Sequence, residues 1–143
     1  MKVNGRPFLL YLLDLLKFNR FQDVALCTGH GHDQIQKEIG SEYKGSSIKY
    51  SRETSPLGTG GAIVQVLTEL DNEWFLVMNG DSYCSFDLNA QFLQKLKKSL
   101  IFVHKVPDVS RFGTVEFNEQ NKVLSFQEKN VQSSPGYINA GIY

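Results

Sequence analysis

Two short runs hold the residue types from which a site could be built. The first is Leu57-Gly58-Thr59-Gly60-Gly61-Ala62. Glycines let a backbone approach a ligand closely, and a helix beginning here would offer free N–H groups and about half a positive charge to an anion. The run is neither a Walker A motif, since Gly-Lys-Ser/Thr is missing, nor a GxGxxG fingerprint. On spacing alone, a plain strand-to-helix turn capped by Thr59 is the favoured reading. The second run is Asn79-Gly80-Asp81, which follows the apolar stretch Trp74-Phe75-Leu76-Val77-Met78. A carboxylate just beyond a strand can hold Mg²⁺, which takes one or two carboxylates and completes its shell with phosphate oxygens and water. Capping a turn is the competing use of Asp. At about 4 Å and an effective dielectric of about 20, the carboxylate is worth about 4 kcal/mol per unit of cation charge, against about 1 for a cap.

Other candidates are weaker one by one. In Glu128-Lys129 the lysine can face a phosphate as a compact charge and the glutamate can accept from hydroxyls, but alone the pair reads as charges leaving a sheet edge. Arg111-Phe112-Gly113 and Asn139-Ala140-Gly141 place tight backbone beside polar groups. His30, His32 and Asp33 lack a further ligand nearby in sequence, so a polar loop is expected there rather than a metal site, and His104 is taken as structural. Cys84 lies near Asp81 without a histidine partner and is not expected to be a nucleophile.

These runs need a scaffold to bring them together. Pro7 suits the first turn of a helix, and Phe8–Lys17 is apolar nearly all round, which predicts a helix buried on more than one side. Asp23–Thr28 and Trp74–Met78 read as continuous apolar strands covered on both faces. Asp33 and Gln36 resemble a capping box for a helix that ends at Gly40. Ser47–Ser51 alternates as a strand, and Ala62 to Leu70 has helical spacing. Leu88–Lys98 reads as a helix and Leu100–Val103 as a strand. Thr114–Phe117 and Val123–Phe126 form a hairpin signal around Asn118–Asn121, and Tyr137–Tyr143 starts one more strand. Strands alternating with helices, then a hairpin, predict an α/β sheet with an antiparallel addition, and such sheets bind ligands beyond the carboxyl ends of their strands.

The 143 residues suit one domain. With 15 Lys+Arg against 15 Asp+Glu, no bulk field draws the chain to nucleic acid or to an anionic membrane, so any anionic ligand must be held locally. Two well-separated cysteines, Cys27 and Cys84, argue against a disulfide framework and suit a reducing compartment. The most apolar stretch, Phe8 to Leu16, is too short to span a bilayer and carries Asp14. A soluble cytoplasmic protein is expected.

Taken in order, the motifs are far more specific than any one of them. Asn4-Gly5-Arg6-Pro7-Phe8-Leu9, Ser55–Ala62, Asn79-Gly80-Asp81, Arg111-Phe112-Gly113-Thr114-Val115, Glu128-Lys129 and Asn139-Ala140-Gly141-Ile142-Tyr143 resemble the sugar-1-phosphate nucleotidyltransferases over nearly the whole chain. Within them the closest look is of guanylyltransferases acting on heptose 1-phosphate or mannose 1-phosphate. The resemblance implies a Rossmann-like nucleotide-diphospho-sugar transferase fold, a mixed and mostly parallel sheet between helices, in a single partial catalytic domain over 1–143. It implies that a sugar 1-phosphate of heptose, mannose or glucose type is joined to a nucleoside triphosphate, with loss of pyrophosphate and with Mg²⁺ as cofactor. By the same resemblance Leu57, Gly58, Thr59, Gly60 and Gly61 hold the nucleotide and Asp81 binds the metal. Gly113, Glu128 and Asn139 shape the sugar pocket, and Lys129 contacts the sugar phosphate. Nucleoside triphosphate and sugar 1-phosphate are the expected partners, without nucleic acid or membrane; an assembly of like chains is left open.

The chain also departs from the family pattern. Met1-Lys2-Val3 leads straight into Asn4-Gly5-Arg6-Pro7, where the family has a first strand and a Gly-rich triphosphate loop, and the chain stops at Tyr143 before the family's second metal-binding Asp. The expectation is a chain truncated at both ends, weakly active or inactive by itself. The alternative is a non-catalytic relative that binds nucleotide, sugar phosphate or a partner subunit.

Overall fold

A computed structural model describes residues 1–70, 73–88, 98–127 and 133–143. The chain divides into two compact units, one formed by Met1–Phe75 with Ser85–Leu93 and the other by Leu76–Cys84 with Gln94–Tyr143. Among the described residues, no helix is long and apolar enough to cross a membrane.

The first unit begins with a hairpin of β1 (Lys2–Val3) and β2 (Arg6–Pro7), turned by Asn4 (φ 49°) and Gly5 (φ 77°). Positive φ at both turn residues is what a two-residue hairpin needs, and Asn-Gly meets it cheaply. Helix α1 (Phe8–Phe18) follows at once, and Pro7 lies just outside it. The helix buries Leu12, Leu13 and Leu15, the other positions from Phe8 to Leu16 are half-buried, and only Lys17 and Phe18 at its C-terminal end are exposed, so it is covered on more than one side. Its end is held by Asn19, whose Nδ2 donates to Leu15 O (3.0 Å) and Phe86 O (3.1 Å) and whose Oδ1 accepts from Leu88 N (2.7 Å).

Strand β3 (Asp23–Thr28) pairs in parallel with β5 (Ser46–Arg52), and β4 (Glu42–Tyr43) pairs antiparallel on the other side of β5. Val24, Ala25 and Leu26 of β3 are only half-buried, short of the two-sided burial the sequence suggests. Helix α2 (His32–Ile39) has Gly31 at its N-cap with φ 79° and no side-chain cap. The expected capping box from Asp33 is therefore not used, and His32 opens a helix rather than lying in a polar loop. His32 is buried, its Nδ1 lies 2.7 Å from Thr28 Oγ1, and its ring meets Tyr50 edge-on at 5.8 Å. Helix α3 (Gly58–Leu67) closes this unit's pattern.

A network ties α1 to β2 and β4. Arg6 Nη2 donates to Asp14 Oδ2 (2.7 Å) and to Tyr43 Oη (2.7 Å), and Tyr43 Oη and Lys44 Nζ donate to Asp14 Oδ1 at 2.9 and 2.7 Å. Partial burial opposes ionisation of Asp14, but the hydrogen bonds from Lys44, Arg6 and Tyr43 outweigh it and lower the carboxyl from 3.8 to about 2. A depressed folded-state value adds stability above the unfolded value that is lost as pH falls through the folded one. Asp14→Asn should therefore lower the thermal midpoint at pH 7 by about 2–4 °C and flatten the acid limb between pH 3.8 and about 2, as read by circular dichroism melts across pH.

The second unit is built on an antiparallel sheet of order β6 (Val103–Val106), β9 (Gly136–Asn139), β7 (Thr114–Phe117), β8 (Val123–Gln127). The β7–β8 hairpin is where the alternation places it, with a register shift between Glu116 and Phe117. Three expectations shift here. Trp74–Met78 is not a strand: Met78 makes an isolated antiparallel bridge to Ile142, Val77 and Tyr143 exchange N–H···O bonds of 3.0 and 2.9 Å, and Trp74 and Phe75 are exposed. The expected strand 100–103 begins only at Val103, and the expected strand 137–143 breaks after Asn139, where Gly141 takes φ 71°. The parallel pairing among the described residues is confined to β3–β5. The expected helix 88–98 falls largely outside the described residues.

Candidate functional site

In the first unit, the Gly-rich run is not a loop that precedes a helix but the helix's own first turn. Gly58 starts α3 with φ 67°, a conformation glycine adopts without penalty. Thr59 therefore lies within the turn and does not cap it; the position before the helix is Leu57, and no side chain caps α3. Leu57, Gly58, Thr59 and Gly60 are exposed, so the first N–H groups of α3 are open to a ligand. Gly61 leaves room for the residue before the helix: a Cβ there would lie 2.8 Å from Leu57 Cβ.

Two side chains brace α3 against the end of β5. Glu53 Oε2 accepts from Leu57 N at 3.1 Å, and Glu53 N donates to Thr28 O at 2.8 Å. Gln65 Nε2 donates to Ser51 Oγ at 2.8 Å and to Arg52 O at 3.1 Å. Sequence reasoning passed over both. The available signal was a glutamate four residues before the turn at the end of a strand. Beside it, Cys27 Sγ lies 3.7 Å from Ala62 O, and burial, aided by Glu53 and Glu69, pushes its thiol pKa up, which does not favour a thiolate nucleophile.

The second unit brings three of the sequence's candidate segments together. Asn79 N donates to Gly141 O (2.8 Å), and Asn139 N donates to Gly113 O (3.4 Å). Asp81 follows Asn79 by two residues, is exposed, and accepts from Ser82 Oγ at 3.1 Å. Asn139 Oδ1 accepts from Gly141 N at 2.8 Å and its Nδ2 donates to Tyr143 Oη at 2.5 Å. A cavity of about 380 Å³ opens one residue beyond Gly113, lined by Val109, Thr114, Glu116, Gln127, Pro135 and Tyr137 among others. Its volume lies in the range of small-ligand sites. Glu128 and Lys129 lie outside the described residues. Among the described residues, no group of three or more His, Cys, Asp or Glu side chains could form a protein-built metal cage. One exposed carboxylate instead suits a hard cation whose remaining ligands are phosphate oxygens and water.

Comparison with known proteins places these features. The chain superposes on HddC from Yersinia pseudotuberculosis complexed with GMP-PN with a TM-score of 0.88 at 30% identity, over 99% of this chain and 64% of that one. The fold is that of the nucleotide-diphospho-sugar transferases. A sequence model of the nucleotidyl transferase family matches residues 1–143, and the chain belongs to that family. It is 39% identical over 141 residues to the D-glycero-alpha-D-manno-heptose 1-phosphate guanylyltransferase of Campylobacter jejuni, covering 99% of this chain and 62% of that protein. It is 34% identical over 146 residues to the mannose-1-phosphate guanylyltransferase catalytic subunit beta of Drosophila melanogaster, covering 97% of this chain and 40% of that protein.

Proposed function

We propose that residues 1–143 form one partial catalytic domain that transfers a guanylyl group from GTP to a sugar 1-phosphate of heptose or mannose type. The observation that carries this reading is the likeness, over 99% of the chain, to a heptose 1-phosphate guanylyltransferase. The geometry of the two candidate segments supports it. In the reaction a phosphate oxygen of the sugar 1-phosphate attacks the α-phosphorus of GTP, the bond to the bridging oxygen of pyrophosphate breaks, and pyrophosphate leaves with its electron pair.

Each residue then has a task. Leu57, Gly58, Thr59, Gly60 and Gly61 hold base and ribose against the open first turn of α3. Gly113, Glu128 and Asn139 shape the sugar side, and Lys129 meets the sugar phosphate. Asp81 is the carboxylate that would hold Mg²⁺. Bound there with the nucleotide phosphates, the ion would neutralise charge that builds on the α-phosphate and on the departing pyrophosphate. Positioning and charge stabilisation suffice, with no covalent intermediate.

The test is formation of a labelled nucleotide-sugar from radiolabelled GTP and each sugar 1-phosphate in turn, with calorimetry comparing GTP and dTTP. Guanylyl transfer to heptose or mannose 1-phosphate, weak in this chain by itself, is the expected outcome. Tighter binding of dTTP than GTP would overturn the choice of base. GTP binding that neither turns over with any acceptor nor weakens in Asp81→Ala identifies the non-catalytic relative.

A further inference from the structure

Two residues before Asp81, Asn79 is held by the absence of a side chain opposite it. Gly141 is buried with φ 71°, and a Cβ at that position would lie 2.7 Å from Asn79 Nδ2, 2.8 Å from its Cγ and 3.1 Å from its Cβ. The Asn79 side chain thus occupies the space that any other residue at 141 would fill. The slot is itself braced. Gly141 N donates to Asn139 Oδ1 at 2.8 Å, the Asn139 amide donates to Tyr143 Oη, and Ile142 is 1% exposed. The Asn79 backbone is pinned as well, through its N–H to Gly141 O at 2.8 Å. Between this doubly held residue and the carboxylate stands only Gly80, whose missing Cβ would meet nothing within 4 Å. Asp81 therefore leaves the segment two residues beyond a side chain that the fold holds in place.

We propose that Asn79, seated in the slot that Gly141 leaves, is a positioning residue for Asp81: it sets the approach of the carboxylate to a divalent cation shared with nucleotide phosphates. The inference rests on the metal reading of Asp81 given above. Asparagine before glycine is also a common turn former, and that role would need only the backbone. The packed amide is what distinguishes positioning, because truncating Asn79 to alanine keeps the N–H···O bond to Gly141 and empties the slot.

Mn²⁺ binding to the protein with GTP, followed by electron paramagnetic resonance well below the melting temperature, separates the cases. Asn79→Ala should weaken Mn²⁺ about ten-fold, the scale on which residues supporting a metal ligand act, in a protein whose circular dichroism is unchanged. Gly141→Ala should weaken it at least as much, since its Cβ displaces the same amide. The double variant Gly141→Ala/Asn79→Ala should be no worse than Gly141→Ala alone, because both changes break one contact. If Asp81→Ala binds Mn²⁺ as tightly as the unsubstituted protein, the metal reading of Asp81 falls and this inference with it. If Asp81→Ala loses Mn²⁺ while Asn79→Ala stays within two-fold, or if the double variant shows additive losses, the interlock alone is overturned. Should Gly141→Ala not fold, Asn79→Ala against Asp81→Ala still decides.

Discussion

Asp81→Asn should lower nucleotide-sugar formation by about three orders of magnitude and move the thermal midpoint by no more than about 1–2 °C. The first figure follows from the charge removed. A carboxylate about 4 Å from one unit of cation charge is worth about 4 kcal/mol at an effective dielectric of about 20, and each 1.36 kcal/mol is about a factor of ten in rate. The second follows from where the residue sits. Asp81 is exposed and its hydrogen bond is accepted from Ser82 Oγ, a contact that an asparagine oxygen can also accept. Surface changes of that kind usually cost within about 0.5 kcal/mol. Initial rates with radiolabelled GTP at saturating Mg²⁺, beside a melting curve of the same preparation, give both numbers. Where turnover is too slow to follow, loss of Mn²⁺ from the GTP complex is the readout. Activity within ten-fold of the unsubstituted protein would take Asp81 out of the mechanism. A matching collapse in melting temperature would make it a folding residue instead.

What the sequence made legible depended on whether its signal was local. Helix α1, strands β3 and β5 and the β7–β8 hairpin were readable because period, length and turn residues agree within each segment. The same local reading misplaced Trp74–Met78. Its apolar run is that of a strand, but strand identity is settled by partners, and the described ones are the three residues 141–143. It also placed the start of α3 four residues late, since glycines and a threonine look like loop until Gly58 supplies the positive φ from which the helix starts. Among the candidates that the ordered motifs name, the segments of Asp81, Gly113 and Asn139 do meet in one unit. The contribution of Asn79 was not legible. It resides in a missing Cβ some sixty positions away, which no spacing rule records.

Leu12→Ala should cost about 3 kcal/mol, within the range of about 2–5 for emptying a buried leucine site, and lower the thermal midpoint by about 6–12 °C. The sequence of α1 is apolar on nearly every side, so hydrophobicity alone does not single out Leu12 from its neighbours. Burial does: Leu12 is 1% exposed, whereas Phe18, larger and on the same helix, is 70% exposed. Phe18→Ala is therefore the matched control and should stay within about 0.5 kcal/mol. The two are compared by urea denaturation, taking the midpoint at constant slope so that a change in the unfolded state is not mistaken for a change in the native one. Equal effects would mean that Leu12 is packed no better than the exposed C-terminal end of α1, against its burial. The contrast also bears on the site, because α1 is tied through Arg6 and Asp14 to Tyr43 and Lys44, at the turn that leads into β5. Strand β5 ends at Arg52, where Glu53 holds the start of α3 and Gln65 ties the helix's second half to the strand. A cavity at Leu12 should therefore weaken GTP binding only near the melting transition, while Asp81→Asn acts at every temperature.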